Sequence, residues 1–281
     1  MAAFDRRLTP ARGDLAASYL RGQVDAARFV EGDRREVIAP TAPLRRMPSS
    51  EAPLETEALR GERVVVYDAA EGWAWVQLET DRYVGYMPED VLGSVAAEPT
   101  HRIAATRTFV FPGASIKAPP REALPFGAHV AITSFDRGFA VLNDGGYVPA
   151  AHVSPLTMLE SDPVDVAAPF VGAPYLWGGK TSLGIDCSGL VQVALTACGI
   201  VCPRDSDMQE AALGAAVPLD EARRGDLMFW KGHVAMVRDA SALVHANAFH
   251  MAVAIEPIAA AIARIAATGQ EVSSVKRLTP S

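Results

Sequence analysis

Gly184-Ile185-Asp186-Cys187-Ser188-Gly189-Leu190-Val191-Gln192-Val193-Ala194-Leu195-Thr196-Ala197-Cys198-Gly199 is the stretch on which the fold of this chain turns. Leu190, Val191, Ala194, Leu195 and Ala197 recur at three- and four-residue steps, the spacing of a buried helical face. Asp186 is suited to cap the start of that helix and Gly199 to end it. Cys187 therefore falls in the first turn. Unpaired N–H groups and the positive end of the helix dipole favour a thiolate there, and the same N–H groups can hold an oxyanion. A lone cysteine at a helix start is otherwise a small buried apolar residue, so its partners decide its role.

Those partners lie downstream. Asp226-Leu227-Met228-Phe229-Trp230, His233-Val234-Ala235-Met236-Val237 and Leu243-Val244-His245-Ala246 predict three successive strands, joined by a Lys231-Gly232 turn and a loop from Arg238 to Ala242. Pairing of the last two strands about Ala240 sets His245 opposite Ala235, on the face that His233 shares. One imidazole can then take the thiol proton while the other bonds its far nitrogen and fixes its tautomer. Cys187, His233 and His245 together point to nucleophilic catalysis. His101, His129, His152 and His250 share no pattern and read as surface or packing residues.

Two further segments flank the helix. Gly172-Ala173-Pro174-Tyr175-Leu176-Trp177-Gly178-Gly179 precedes it, and Arg204-Asp205-Ser206-Asp207-Met208-Gln209 follows it. Taken plainly, the second is a helix cap, and Trp177 and Trp230 are core or groove lining. The order Pro-Tyr-x-Trp-Gly-Gly, Asp-Cys-Ser-Gly-Leu, Gly-Asp-Leu, His-Val-Ala and a further His, over residues 165 to 260, resembles the NlpC/p60 cell-wall peptidases. That resemblance implies an α+β, papain-like catalytic domain with the Cys187 helix packed on an antiparallel sheet. It implies Cys187 as nucleophile, His233 as base, His245 as polar third member and Tyr175 beside the thiol, helping to bind the oxyanion. It also implies that Asp205 and Ser206 bind the amino end of the substrate, with Asp186, Ser188 and Trp177 as further substrate contacts.

Upstream, residues 36 to 157 nearly repeat themselves. Gly61-Glu62-Arg63-Val64 matches Gly127-Ala128-His129-Val130, Gly72-Trp73 matches Gly138-Phe139, and Tyr86-Met87-Pro88 matches Tyr147-Val148-Pro149. Short alternating runs between Gly and Asp turns predict a small β-barrel in each copy. The Gly-Trp, Gly-Tyr-x-Pro order resembles bacterial SH3-like domains. The expected organisation is an N-terminal extension over 1–35, a first SH3-like domain over 36–97, a second over 98–157 and the catalytic domain over 160–281. The hairpin of the first copy is longer by five residues and carries Tyr83, which as a loop aromatic is expected to be exposed and to touch a ligand as readily as pack locally.

Members with SH3-like domains in front and the Arg-Asp-Ser segment resemble γ-D-glutamyl-L-diamino acid endopeptidases, which cut murein stem peptides bearing a free N-terminal L-Ala. By that resemblance Tyr83 belongs to the groove wall, with Tyr86 second and Glu57 facing the ammonium. Asp205 supplies a physical reason for a free amine, since its carboxylate pairs with an ammonium and is left unpaired by an acylated substrate. The third residue of the peptide is left open between L-lysine and meso-diaminopimelate.

Composition narrows the remaining classes. A net charge of −7 disfavours nucleic-acid binding, which needs clustered Lys and Arg. Residues 1–20 have no apolar h-region, and residues 251–267 are broken by Glu256, Pro257 and Arg264, so neither a secretory signal nor a membrane span is expected. Three cysteines suit a reducing compartment, and the expected location is the cytoplasm, with a role in cell-wall peptide recycling. No cofactor and no metal are expected, because Cys198 and Cys202 lack a second ligand pair. The expected partners are murein peptides as substrate, with no nucleic acid and no membrane; the oligomeric state is open. Two rivals remain: a peptidoglycan-binding adaptor without catalysis, and a related thiol amidase or acyltransferase with no need of a free amine.

Overall fold

Leu227–Trp230 and His233–Val237 are apolar runs with a glycine between them, and they form an antiparallel hairpin turned at Gly232, whose φ of 75° a side chain would resist. They lie inside a six-stranded antiparallel sheet in the order Ala215–Val217, Ser274–Arg277, Leu227–Trp230, His233–Val237, Ala242–Asn247, Ala252–Pro257. The computed structural model describes residues 4–278, and the chain divides into two compact units after Leu156; this sheet belongs to the second.

Alternation along the strands sends Met228, Trp230, Ala235, Val237 and Leu243 to one face, where Ala261 and Ile265 of the Ile258–Ala266 helix cover them. Val234, Met236 and Val244 are buried on the other face, and the Cys187–Ala197 helix packs against the strands that carry them. Met236 pairs with Val244 and Val237 with Leu243. Both pairs are centred on Ala240, as expected from the loop between the strands.

In the first unit, a seven-stranded sheet runs Leu92–Ser94, Asp33–Val37, Arg63–Ala70, Trp73–Leu78, Val84–Pro88, Thr41–Arg45, Leu54–Leu59. The strand Asp33–Val37 crosses the boundary expected at residue 36. Residues before it are integral to the unit: Leu15, Ala17 and Leu20 pack on Tyr67 and Trp75, and the Arg12 guanidinium lies 4.6 Å over the Trp75 ring.

The sequence repeat has a conformational counterpart. The Gly61 N–H donates to Val37 O and the Gly127 N–H to Ile103 O, both at 2.9 Å. The Glu89 and Ala150 N–H groups, each opening a 3-10 turn after the Tyr-x-Pro strand, donate to Gly72 O and Gly138 O at 2.8 and 2.9 Å. The second repeat has a core of Ile103, Val110, Leu124, Ala128, Val130, Leu142 and Val148, which Leu59 of the first repeat joins. Among the described residues no helix is long and apolar enough to cross a membrane.

Candidate active site

Asp186 opens the Cys187–Ala197 helix as its N-cap, with Oδ1 accepting from the Gly189 N–H at 2.7 Å. Oδ2 accepts from the Gly178 N–H at 2.7 Å, and the Arg204 guanidinium grips both oxygens at 2.9 and 2.8 Å. Arg204, only 1% exposed, also donates to Ser188 Oγ at 2.9 Å and to Gly179 O at 3.3 Å. A Cβ on Gly189 would sit 2.4 Å from Gly179 O, so the backbone approach requires glycine there. Gln209 closes the network from the next helix, Ser206–Ala212, with Nε2 donating to Ser188 O and Pro203 O at 2.9 Å.

This network corrects the expectation that Asp186 and Ser188 contact substrate. Both are buried, and their polar atoms are taken up by the helix start and Arg204. Their place beside Cys187 in sequence reflects construction of the helix end. Arg204 was visible in sequence only as part of a motif; its role follows from burial, because a buried carboxylate demands a cation.

Cys187 is buried at the first helical position. Burial, reinforced by the Asp186 carboxylate, pushes the thiol up to about 11; the N–H groups of Val234 and Ser188 reach the sulfur and, with Arg204, work the other way. The N–H groups of the helix start favour the thiolate, as expected, but the dry surroundings and then the capping carboxylate outweigh them in the free protein.

Because Val234 reaches the sulfur, the Cys187 thiol lies beside the strand end that carries His233. His233 Nε2 lies 2.9 Å from His245 Nδ1. His245 Nε2 lies 3.0 Å from Glu256 Oε2, and Glu256 is gripped by Arg264 at 2.9 and 2.7 Å. Burial pushes His233 down to about 3, with His245 and Arg264 adding to it, and pushes His245 down to about 4 against the opposing pull of Glu256. Both imidazoles are therefore neutral near neutral pH. Glu256 and Arg264 went unused in the sequence except as interruptions of an apolar stretch. The available signal was the cost of burying a lone glutamate in a strand, which calls for a cation nearby.

Tyr175 is half-buried, its N–H donating to Met251 O at 2.9 Å, and its hydroxyl is held above its ordinary range by burial and by the proximity of Cys187 and Asp186. Trp177 is 66% exposed, which removes the core alternative. Asp205 and Ser206 are half-buried at the start of the Ser206–Ala212 helix; Asp205 holds the N-cap position, but its side chain does not make the capping bond of the plain interpretation.

Tyr83 departs from expectation. It is 2% exposed, with its hydroxyl donating to Glu55 Oε2 at 3.3 Å. The extra residues of the first repeat extend a strand pair, Trp73–Leu78 with Val84–Pro88, as far as Gln77 opposite Val84; the second repeat stops at Val141 opposite Tyr147. An insertion absorbed into paired strands carries its aromatic inward instead of onto an exposed loop. The Tyr86 hydroxyl accepts from Arg12 at 3.0 Å. Among the described residues no group of three or more His, Cys, Asp or Glu side chains is arranged to hold a metal ion.

A helix-borne thiol beside the strand end that carries a bonded histidine pair can be compared with known proteins, and residues 172–269 match the model of the NlpC/P60 family. The C-terminal unit is an NlpC/P60 domain. Residues 44–92 match the bacterial dipeptidyl-peptidase SH3 domain, so one SH3-like domain stands in front of it. An NlpC/P60 family protein from Bacillus cereus superposes with a TM-score of 0.77 at 22% identity, covering 88% of this chain and 100% of that one. The α+β, papain-like fold implied by the motifs is thus the fold of the NlpC/P60 domain.

Among curated relatives, dipeptidyl-peptidase 6 of Lysinibacillus sphaericus is 39% identical over 84 residues, 30% of this chain and 31% of its own length. The γ-D-glutamyl-L-lysine dipeptidyl-peptidase of Bacillus cereus is 28% identical over 238 residues, 73% of this chain and 71% of its own. The namesake from Bacillus subtilis is 45% identical over 69 residues, only 23% of its length. The chain therefore spans less than a third of the first and last of these relatives.

Proposed function

We propose that this protein is a cysteine peptidase that hydrolyses the γ-D-Glu–diamino acid bond of murein stem peptides with a free N-terminal L-Ala. The observation that carries the chemistry is the juxtaposition of Cys187 at a helix start with the bonded pair His233 and His245, reached through the Val234 N–H. His233 takes the thiol proton as sulfur attacks the carbonyl carbon, and N–H groups at the helix start hold the oxyanion. His233 then protonates the leaving amine as the C–N bond breaks. Water, deprotonated by the same imidazole, cleaves the thioester and restores the thiol.

The substrate class draws on the relatives named γ-D-glutamyl-L-lysine dipeptidyl-peptidase. Asp205, half-buried at the start of the Ser206–Ala212 helix, is the carboxylate we assign to the L-Ala ammonium, with Ser206 beside it. The Tyr175 hydroxyl, close to Cys187, is assigned to the oxyanion and exposed Trp177 to the peptide chain. We further propose that residues 98–157 are a second SH3-like copy, supported by the matched glycine bonds. A cytoplasmic recycling role is supported by the sparse, odd set of three cysteines.

Mass spectrometry of defined stem peptides tests this reading. L-Ala-γ-D-Glu should be released from the free-amine peptide, far less from its N-acetylated form, and not at all by Cys187→Ala. Equal cleavage of both peptides would remove the ammonium site and favour a thiol amidase or acyltransferase; activity in Cys187→Ala would remove the peptidase.

A further inference from the structure

The polar groups behind His233 continue past His245 to a carboxylate and a guanidinium. Glu256 pairs with Leu243 across the sheet, which makes it the diagonal neighbour of His245 on the same face. Its Oε2 lies 3.0 Å from His245 Nε2 and accepts from Arg264 Nη2 at 2.7 Å, while Oε1 accepts from Arg264 Nε at 2.9 Å. Arg264 comes from the Ile258–Ala266 helix over that face, and its guanidinium carbon lies 4.6 Å above the Phe249 ring. The Glu256 carboxyl is held below its ordinary range, chiefly by Arg264, against the pull of burial.

An ionised carboxylate has acceptor sites only. His245 must therefore carry its proton on Nε2 to meet Glu256, which leaves its Nδ1 a lone pair. His233 must then present a proton on Nε2 to that lone pair, which leaves Nδ1 as its unprotonated nitrogen. Each tautomer follows from the one behind it, and the series begins at Glu256.

We infer that Glu256, clamped by Arg264, is a positioning residue for the proposed peptidase, fixing both histidine tautomers and stabilising the imidazolium that forms on His233. This inference rests on the peptidase reading for its kinetic consequence but not for its tautomers. In the step concerned, the S–H bond of Cys187 breaks and an N–H bond forms at His233 Nδ1, with the electron pair left on sulfur. No proton passes to Glu256; its charge is felt through the neutral His245.

Two variants separate the functions. Glu256→Gln keeps an oxygen towards His245, because an amide nitrogen there would face donors from both His245 and Arg264. It should retain the tautomers and lose about tenfold in kcat with little change in KM. Glu256→Leu removes acceptor and charge together and should lose about 10²-fold or more, short of the roughly 10⁴-fold loss when the carboxylate touching a catalytic base is changed.

Imidazole 15N shifts of the substrate-free protein give a readout that packing alone would not move. Wild type and Glu256→Gln should show a protonated Nε2 on both histidines, and Glu256→Leu a mixture of tautomers. Wild-type 15N shifts and undiminished kcat in folded Glu256→Leu would overturn the inference. Should that variant not fold, undiminished kcat in Glu256→Gln or a wild-type protein with protonated Nδ1 on His245 would do the same. Failure of the peptidase reading would instead appear as turnover by Cys187→Ala, leaving the NMR result to decide Glu256 separately.

Discussion

Two buried carboxylates beside the candidate site each hold a guanidinium, Asp186 with Arg204 and Glu256 with Arg264, and they differ in what the carboxylate has left to offer. Asp186 meets two backbone N–H groups, the Ser188 hydroxyl and two guanidinium nitrogens, all within its own structural network. Glu256 meets one guanidinium and keeps a position for His245. The first pair builds the helix end that presents the thiol; burial holds that thiol protonated, with the Asp186 carboxylate adding to it and Arg204 opposing it. The second holds His245, the partner of His233. The same pairing chemistry closes on itself or reaches a neighbouring imidazole according to whether the anion retains a free acceptor direction.

The sharpest way to break this contrast is to remove each cation. Arg204→Met leaves Asp186 buried beside the helix start with no counter-charge and should destabilise the NlpC/P60 domain by about 3–5 kcal/mol. Arg264→Met, on a side chain one-quarter exposed and with His245 still bonded to Glu256, should cost about 1–2 kcal/mol. Urea denaturation of both variants measures the difference, and equal losses would erase it.

The electrostatic side of the contrast is finer. With the thiol pushed up to about 11 and His233 down to about 3, the free protein holds a neutral thiol and a neutral imidazole at neutral pH. A raised thiol value means less thiolate than an ordinary cysteine has, so Cys187 alkylation by iodoacetamide should be slow at neutral pH and climb with rising pH. Asp186→Asn keeps the helix cap, removes the charge and should speed alkylation at neutral pH by roughly tenfold. A plateau of fast alkylation already present in mild acid would show a preformed ion pair and contradict this charge assignment.

The legible parts of the site were those set by short-range spacing. The Cys187 helix follows from three- and four-residue apolar steps, and the alignment of His245 from a loop whose centre could be counted. The roles of Asp186 and Ser188 are not legible, because proximity to Cys187 in sequence looks the same whether a side chain faces substrate or the helix end; only Arg204, sixteen residues beyond Ser188, distinguishes the two. Glu256 depends on a diagonal across a strand pair and on a helix that folds back over it, neither of which has a local signature. Tyr83 shows a third kind of failure, since an insertion that prolongs a ladder and one that bulges as a loop have equal length in sequence.

In the proposed reaction Cys187 attacks the peptide carbonyl with His233 as its base. Rapid-quench mass spectrometry of the protein with an L-Ala-γ-D-Glu-diamino acid peptide tests it most directly. An L-Ala-γ-D-Glu acyl adduct should appear on the tryptic peptide containing Cys187, formed in step with release of the diamino acid product and absent in His233→Gln. Release of that product at the wild-type rate with no adduct on Cys187, or undiminished acylation in His233→Gln, would contradict it.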